Sequence, residues 1–597
     1  MANLQITESL IKTNTRQRNN SLVVNSSYFD ELKKQITDQS LWNSKVFKVF
    51  NHEAGSGKSQ FTLAEIAELA TSTEYRVLYV QKFSRGEALI DTVNTINSHS
   101  VYSVAEYIDS KDNKDRNSKI KNKIRNRKLN AKVLVITHNM YMRVCLGKHQ
   151  EILDGRHILI IDEFPDFLER VAISLKDLSK LWENAYRYQE KEFIEKLVTD
   201  LKNIVTQEIT NPHNIRNFPY LDFSSKYFDP YKQSLPKVIE NNQKLKETEI
   251  LTRILQILNN GCRYSNNALH IFNSEIEPKL LRNNIILDAN AGFDYRYELS
   301  NLFTVHLQDK FYEYSNSTFT HYTVKTSKEA LSRNINFYQK ALEELSLTFK
   351  EKILFVTDKD NENNLKKEIR NYLELTGKTD KEIQNIEETN ITVEYFGNII
   401  GVNDYRDYET VVIMKTPNFD YVDYVLQHDF YKPLRNLNED IPIFGYSIVE
   451  EIRKTMIAGE IYQAMKRINR DNSKNAHYIV FTANNDAVEL VRQQFPGITY
   501  HQYELNVDYT AKKTEEETKT EKRQKKIMEF LYNCKQEGKE KVAKREIREV
   551  IDYHDAKNFA KLLKSIEVFL ISNQMYAKGQ HVYIEQGKET EEKWQYK

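Results

Sequence analysis

The run Asn51-His52-Glu53-Ala54-Gly55-Ser56-Gly57-Lys58-Ser59 places glycines, a lysine and a serine in the order that cradles a phosphate chain. Glycines let successive backbone N–H groups close around phosphate oxygens, and a helix beginning there adds positive potential. The run follows the strand-like KVFKVF and precedes the helical FTLAEIAELA, the setting such a loop needs. In this reading Ala54 to Ser59 bind a nucleotide. Lys58 reaches its β- and γ-phosphates, and the Ser59 hydroxyl holds Mg²⁺. His52 stands where the full pattern carries a glycine.

A second constellation lies about 100 residues downstream, at Ile158-Leu159-Ile160-Ile161-Asp162-Glu163-Phe164-Pro165. Four apolar residues make a buried strand, and two carboxylates sit at its C-terminal end, where ligands bind in open α/β sheets. Alone, such a pair merely ends a strand. Behind a phosphate loop, Asp162 is a candidate Mg²⁺ ligand acting through water, and Glu163 a candidate base for the attacking water. A third constellation is Gln463-Ala464-Met465-Lys466-Arg467-Ile468-Asn469-Arg470. On a helix, Gln463, Arg467 and Arg470 share one face. The bland alternative is a solvated amphipathic helix. The chemical reading is a pair of arginine fingers, each worth about 10³–10⁵ in turnover.

These residues need elements to hold them. Strand-like runs alternate with helical patterns from Val46 to about Ile286 and again from about Lys352 to Phe481, which predicts two parallel, helix-covered sheets. The expected divisions are an extension at 1–44, a first lobe at 45–165 and 284–325, and a helical insertion at 166–283. A second lobe at 326–507, a charged linker or solvated helix at 508–526 and a tail at 527–597 follow. The tail reads as three helices and a short wing, the order of a winged helix. In the insertion, aromatics such as Tyr186, Tyr188, Phe223 and Tyr231 are read as core.

The chain has 597 residues, 40% apolar and 29% charged, with net charge +1, so several domains are expected and global charge indicates no partner. Lys111 to Lys128 carries nine basic and two acidic residues, a solvated loop or a phosphate contact. No stretch approaches the ~18 uninterrupted apolar residues of a membrane span. The start lacks a signal-like apolar core. Cys145, Cys262 and Cys534 lack pairing or zinc-knuckle spacing. A cytoplasmic protein with no membrane partner is therefore expected.

In this order the motifs resemble those of superfamily 2 helicases of the DEAD/DEAH-box type, over roughly residues 45–165 and 285–485. EAGSGKS resembles motif I, DEFP motif II, and the segment from Asp288 to Ala291 motif III, with Asn290 where threonine is usual. The strand ending at Thr357 resembles motif IV. Phe396 to Asn403 resembles motif V, with Gly401 and Asn403 at its nucleotide-side positions. QAMKRINR resembles motif VI, with Lys466 in place of its glycine. The resemblance implies two RecA-like P-loop lobes with ATP and Mg²⁺ in the cleft between them. It also implies backbone contacts to nucleic acid from Gln81 and Lys82, from Thr137 and His138, and from Thr357.

In the tail, Lys557, Lys561 and Lys564 form a basic stripe on the expected third helix, a candidate duplex contact. Three functions are weighed. The first is an ATP-driven helicase or translocase on DNA, serving replication or recombination of a mobile element. The second is an RNA-remodelling ATPase. The third is an ATP-gated switch for a protein partner held by the insertion. DNA is favoured over RNA because DEFP departs from the tetrad common in the RNA group.

Overall fold

Runs such as Ile158 to Ile161 lack polar alternation because both faces of their strands are covered, as parallel sheets require. The computed structural model describes residues 26–82, 88–109, 125–211, 214, 216–345, 347, 349–399, 404–432, 439–509, 519–551, 553, 556–564, 566, 569–570 and 573–584. The chain divides into two units, Met1–Asp508 and Tyr509–Lys597.

Within the first unit come β1 (Phe47–Phe50), helix α1 (Lys58–Ser72), β2 (Val77–Gln81), β3 (Ala105–Tyr107), β4 (Val133–Thr137) and β5 (Ile158–Asp162). After an inserted segment, β11 (Asn283–Leu287) and β12 (Phe303–His306) complete a parallel sheet of order β12-β1-β11-β5-β2-β4-β3. Parallel strands end at one edge. Register places Phe50 beside Leu287, Leu287 beside Asp162, and Gln81 beside Thr137. The loops after β1, β5, β2, β4 and β11 therefore emerge together, which brings distant motifs into one row. Phe29, Leu32 and Ile36 pack into this lobe's core, so the described part of the expected N-terminal extension is integral to the lobe.

The second sheet is also parallel throughout, as the second of two RecA-like lobes requires. It contains β13 (Thr318–Thr323), β14 (Ile353–Thr357), β15 (Ile391–Tyr395), β16 (Thr410–Ile413), β18 (His477–Phe481) and β19 (Thr499–Glu504), in the order β15-β14-β16-β18-β13-β19. Helices α2 (Tyr421–Tyr431) and α3 (Ser447–Met465) lie between β16 and β18. The expected boundary at 325/326 moves, because β13 pairs with β18 and β19 and belongs to the second lobe. Its sequence, TFTHYT, mixes polar and apolar residues and so lacks the unbroken run that marks the other strands.

The insertion is helical only in part. Its helices Leu175–Glu183, Lys191–Thr210, Asp229–Asn241 and Thr248–Asn260 pack on an antiparallel sheet. That sheet comprises β6 (Arg170–Ser174), β8 (Tyr220–Leu221), β9 (Cys262–Ser265) and β10 (Ala268–Phe272), in the order β6-β10-β9-β8. Tyr188, Phe223 and Tyr231 are core, whereas Tyr186 is exposed. The insertion also bridges to the second lobe. Strand β7 (Asn217–Phe218) pairs antiparallel with β17 (Ile441–Pro442). Arg263 donates two hydrogen bonds to Asp429 of α2, at 2.8 and 3.1 Å, with both side chains buried. Tyr431 of α2 enters the first lobe's core beside Phe164 and Phe303.

The second unit holds helices α4 (Lys519–Gln536), α5 (Lys544–Val550) and α6 (Ala556–Lys564), with β20 (Lys541–Ala543), β21 (Met575–Lys578) and β22 (His581–Ile584). The strands form an antiparallel sheet of order β20-β22-β21. Helix α4 begins inside the expected linker, and β20 is a strand that the helix-only reading of this stretch missed.

Candidate active site at the seam between the lobes

The phosphate loop runs from β1 into α1. Gly57, with φ +95°, precedes Lys58 and caps α1 without a side chain, so the first-turn amides of the helix are presented to the loop. Gly55 adopts φ +89°, and a Cβ on it would lie 1.9 Å from the carbonyl oxygen of Arg470 in the second lobe. The loop is thus in backbone contact with the second arginine of the third constellation. Gly55→Ala would combine left-handed strain with that clash. We expect turnover to fall about tenfold or more, with little loss of the first lobe's own folding, as read by steady-state hydrolysis beside a thermal melt.

Asp162 closes the same corner. The Ser59 hydroxyl donates to the Asp162 carboxylate at 3.0 Å, and the Tyr79 hydroxyl donates to it at 3.2 Å. Burial raises the Asp162 pKa, and the nearby Lys58 opposes that rise. A hydroxyl and a carboxylate converging at the foot of a phosphate loop are hard oxygen donors of the kind Mg²⁺ takes, so these residues fit the ion.

Glu163 follows with φ +71°, a left-handed conformation that is rare for a residue with a side chain. Its backbone N–H is held by the Leu287 carbonyl at 3.0 Å. Lys82 places its ammonium 3.0 Å from one carboxylate oxygen, and Arg467 lies 4.0 Å from the other. Burial pushes the Glu163 pKa up, but Lys82 and then Arg467 outweigh it and bring it down to about 2. Strain of this kind collects at functional sites.

Arg467 is 4% exposed and follows α3 of the second lobe. It donates to the Gln463 side chain at 3.2 Å, while also facing Glu163. The Arg470 side chain is exposed to the fields of Glu163 and Asp162. Arg467 and Arg470 therefore meet the first two constellations across the seam, while Gln463 holds Arg467 from behind. The expected shared helix face is corrected, because α3 ends at Met465 and both arginines lie in the turn after it. Asn290, at the end of β11, reaches the same helix. A Cβ on Gly459 of α3 would lie 3.2 Å from its amide nitrogen.

The sequence reading missed a buried cluster beside the loop. Glu53 accepts backbone N–H bonds from Phe311 and Tyr312 at 2.9 and 3.1 Å, and a bond from the Tyr314 hydroxyl. Lys466 donates to that hydroxyl at 2.7 Å and lies 3.8 Å from Glu53. Lys466 and Glu53 side chains are each 1% exposed. Burial lowers the Lys466 pKa, partly offset by Glu53, to about 8. The phosphate loop, the segment joining the lobes and the motif-VI turn are thus tied at one point. The available signal was a lysine where motif VI carries glycine, together with an acid inside the phosphate loop. Replacing Lys466 by methionine leaves Glu53 buried without its cation. We expect a loss of about 3–5 kcal/mol, read by denaturant unfolding, with partial recovery in the Glu53→Gln/Lys466→Met double variant.

The residues expected to touch nucleic acid divide. Lys82 contacts Glu163, and His138 is half-buried, its Nε2 3.0 Å from the Asp162 carbonyl oxygen. Burial lowers the His138 pKa to about 4, with Lys82 adding to the effect. The Thr137 hydroxyl caps the following helix by accepting the Met140 N–H, and Gln81 accepts from the Thr92 hydroxyl. Thr357 is a correction: it is completely buried at the end of β14, so its side chain is enclosed by the second lobe and presents nothing to a backbone. Gly401, Asn403 and the basic stretch from Lys111 to Ile124 lie outside the described residues. In the tail, Lys564 is exposed on α6. The side chains of Lys557 and Lys561, on the same helix, lie outside the described set.

The chain matches no protein-family profile and no curated protein. It is similar to solved structures. S. tokodaii Xpd4 aligns at 12% identity over 77% of this chain and 96% of its own, with a TM-score of 0.46. Mycobacterium smegmatis helicase Lhr, bound to ssDNA and AMP-PNP, aligns at 9% identity over 90% of this chain and 56% of its own, with a TM-score of 0.33. Helicase MrfA, bound to DNA and AMPPNP, aligns at 12% identity over 97% of this chain and 62% of its own, with a TM-score of 0.37. The chain thus spans little more than half of the latter two.

Proposed function

We propose that the chain is an ATP-dependent helicase or translocase of the superfamily 2 kind, acting on DNA. The observation that carries this reading is the placement of Glu163 from the first lobe against Arg467 from the second, one strand-row from the Ser59–Asp162 pair. A site assembled from two lobes is complete only when they meet, so its chemistry is coupled to their motion.

In this mechanism the amides around Gly55 and Gly57 and the Lys58 ammonium hold the phosphates. Ser59 and Asp162 would hold Mg²⁺, which when bound would spread the negative charge of the triphosphate. Glu163 orients a water and accepts its proton at a carboxylate oxygen. Arg467 and Arg470 leave the acidic pair and neutralise charge developing on the transferred phosphoryl group. Exclusion of water follows from the seam itself, where Arg467, Lys466 and Glu53 are all buried.

DNA is favoured because the motif-II tetrad is DEFP and because the tail carries basic residues on a small helical unit. Strand displacement tests the reading. The purified chain should separate a forked DNA duplex when ATP is present and leave an equivalent RNA duplex intact. Displacement of RNA alone would reverse the substrate assignment. ATP turnover indifferent to both, and raised only by a protein, would replace the motor by a partner-gated switch.

A further inference from the structure

The sequence reading assigned Lys82 to a nucleic-acid backbone, whereas the structure sets it on Glu163. Both placements have one explanation. We infer that Lys82 is a positioning residue that holds Glu163 away from its water until a phosphate of a bound strand draws the lysine off, so that strand binding turns hydrolysis on. The inference rests on the proposed function and adds its regulation.

The geometry is specific. Lys82 follows directly on β2, and its ammonium lies 3.0 Å from Glu163 Oε2 while Arg467 faces Oε1 at 4.0 Å. A cation thus faces each oxygen, Lys82 in direct contact and Arg467 at the edge of ion-pair range, and both charges oppose the carboxylate's taking a proton from water. The left-handed backbone at Glu163, pinned by the Leu287 carbonyl, fixes the side chain in that direction. Arg467 has a reason to leave, because the proposed chemistry calls it to the phosphoryl group. Lys82 has no such reason inside the nucleotide site. Strand β2 lies three positions from β1 in the sheet, roughly 14 Å away at ordinary strand spacing. It lies between β5, which leads into Glu163, and β4, whose end carries Thr137 and His138.

The charges around Lys82 suit a replaceable anchor. Glu163, Glu460 of α3 and Asp288 at the end of β11 all face it, so an anion must compete for it. A third of its side chain is exposed, which leaves an approach for a strand phosphate. A pair this open shifts an equilibrium by only about two- to fivefold, so a single phosphate contact can break it. Glu460 brings the second lobe to the same lysine, so release on one lobe is felt by the other.

The test is steady-state ATP hydrolysis by the full chain, with and without single-stranded oligo-dT, in wild type, K82M, K82R and E163Q. K82M is expected to raise strand-free turnover by roughly two- to fivefold, with KM for ATP unchanged, and to reduce stimulation by DNA to near unity. K82R, which keeps the ion pair, should keep most of the stimulation. A purely structural lysine would give the opposite sign, lowering strand-free turnover in K82M. That result, or K82M retaining wild-type stimulation, overturns the inference and leaves the proposed function standing. Equal turnover in wild type and E163Q would sink the proposed function and this inference with it. Stimulation of wild type by ATP concentration alone, with no response to oligo-dT, would assign the release of Lys82 to the nucleotide and overturn the strand as trigger.

Discussion

Arg467→Ala is expected to lower ATP turnover by about 10³-fold while leaving ATP affinity within a fewfold of wild type. The separation follows from where the residue sits. In the proposed mechanism phosphate binding falls to the first lobe, through the Gly55–Ser59 loop and α1, and Arg467 lies outside that loop. It reaches Glu163 across the seam from the end of α3. Its loss therefore removes charge stabilisation that matters as the phosphoryl group transfers, which reduces kcat far more than it raises KM. Arg467→Lys should recover little. The guanidinium faces Glu163 and bonds Gln463 at the same time, a fork that a single ammonium cannot reproduce. The check is kcat and KM for ATP together with fluorescent-nucleotide binding. A variant that loses binding and turnover in equal measure would show that Arg467 holds the lobes in place rather than acting on the phosphoryl group.

Glu163→Gln is expected to lower turnover by about 10²–10⁴-fold, the range for loss of a general base, with binding intact or tightened. Glutamine keeps the shape and can still bond the region around Arg467, but it accepts no proton. It also removes the charge that faces Lys82 and Arg467. Two cations released from a carboxylate favour a bound triphosphate, which is why affinity should not fall. Asp162→Asn makes a useful contrast. That carboxylate is bonded by Ser59 and Tyr79 and stands at the proposed Mg²⁺ position, so its loss should appear as a raised Mg²⁺ requirement. An E163Q chain as active as wild type in single-turnover hydrolysis would remove Glu163 from the chemistry.

The parallel sheets were legible because their strands are buried on both faces and read as apolar runs, as in VLVIT and ILIID. β13 escaped for the converse reason, its six residues alternating too unevenly to stand out, and the lobe boundary moved with it. The insertion read as helical because its helices are long and amphipathic, while strands of two to five residues leave little periodic signal. At the site, the motif residues are local and could be named from spacing. Their convergence depends on strand order, with β11 lying between β1 and β5, and no local pattern encodes that. Side-chain partners were the least legible. Glu53 and Lys466 lie more than 400 residues apart in the chain yet share a buried bond network, and only their departure from the usual pattern marked them. Lys82 shows the same limit: its position beside the acidic pair follows from β2 flanking β5.

The proposed motor has a nucleotide site completed across two lobes and coupled to a bound strand. The most direct measurement is Mg²⁺-dependent ATP hydrolysis by the purified chain, alone and with single-stranded DNA, duplex DNA or RNA. Hydrolysis is expected to require Mg²⁺ and to rise with single-stranded DNA, in a chain whose sheet edge carries Lys58, Asp162 and Glu163 in one row. No hydrolysis under any of these conditions, with the chain folded and binding ATP, would contradict it.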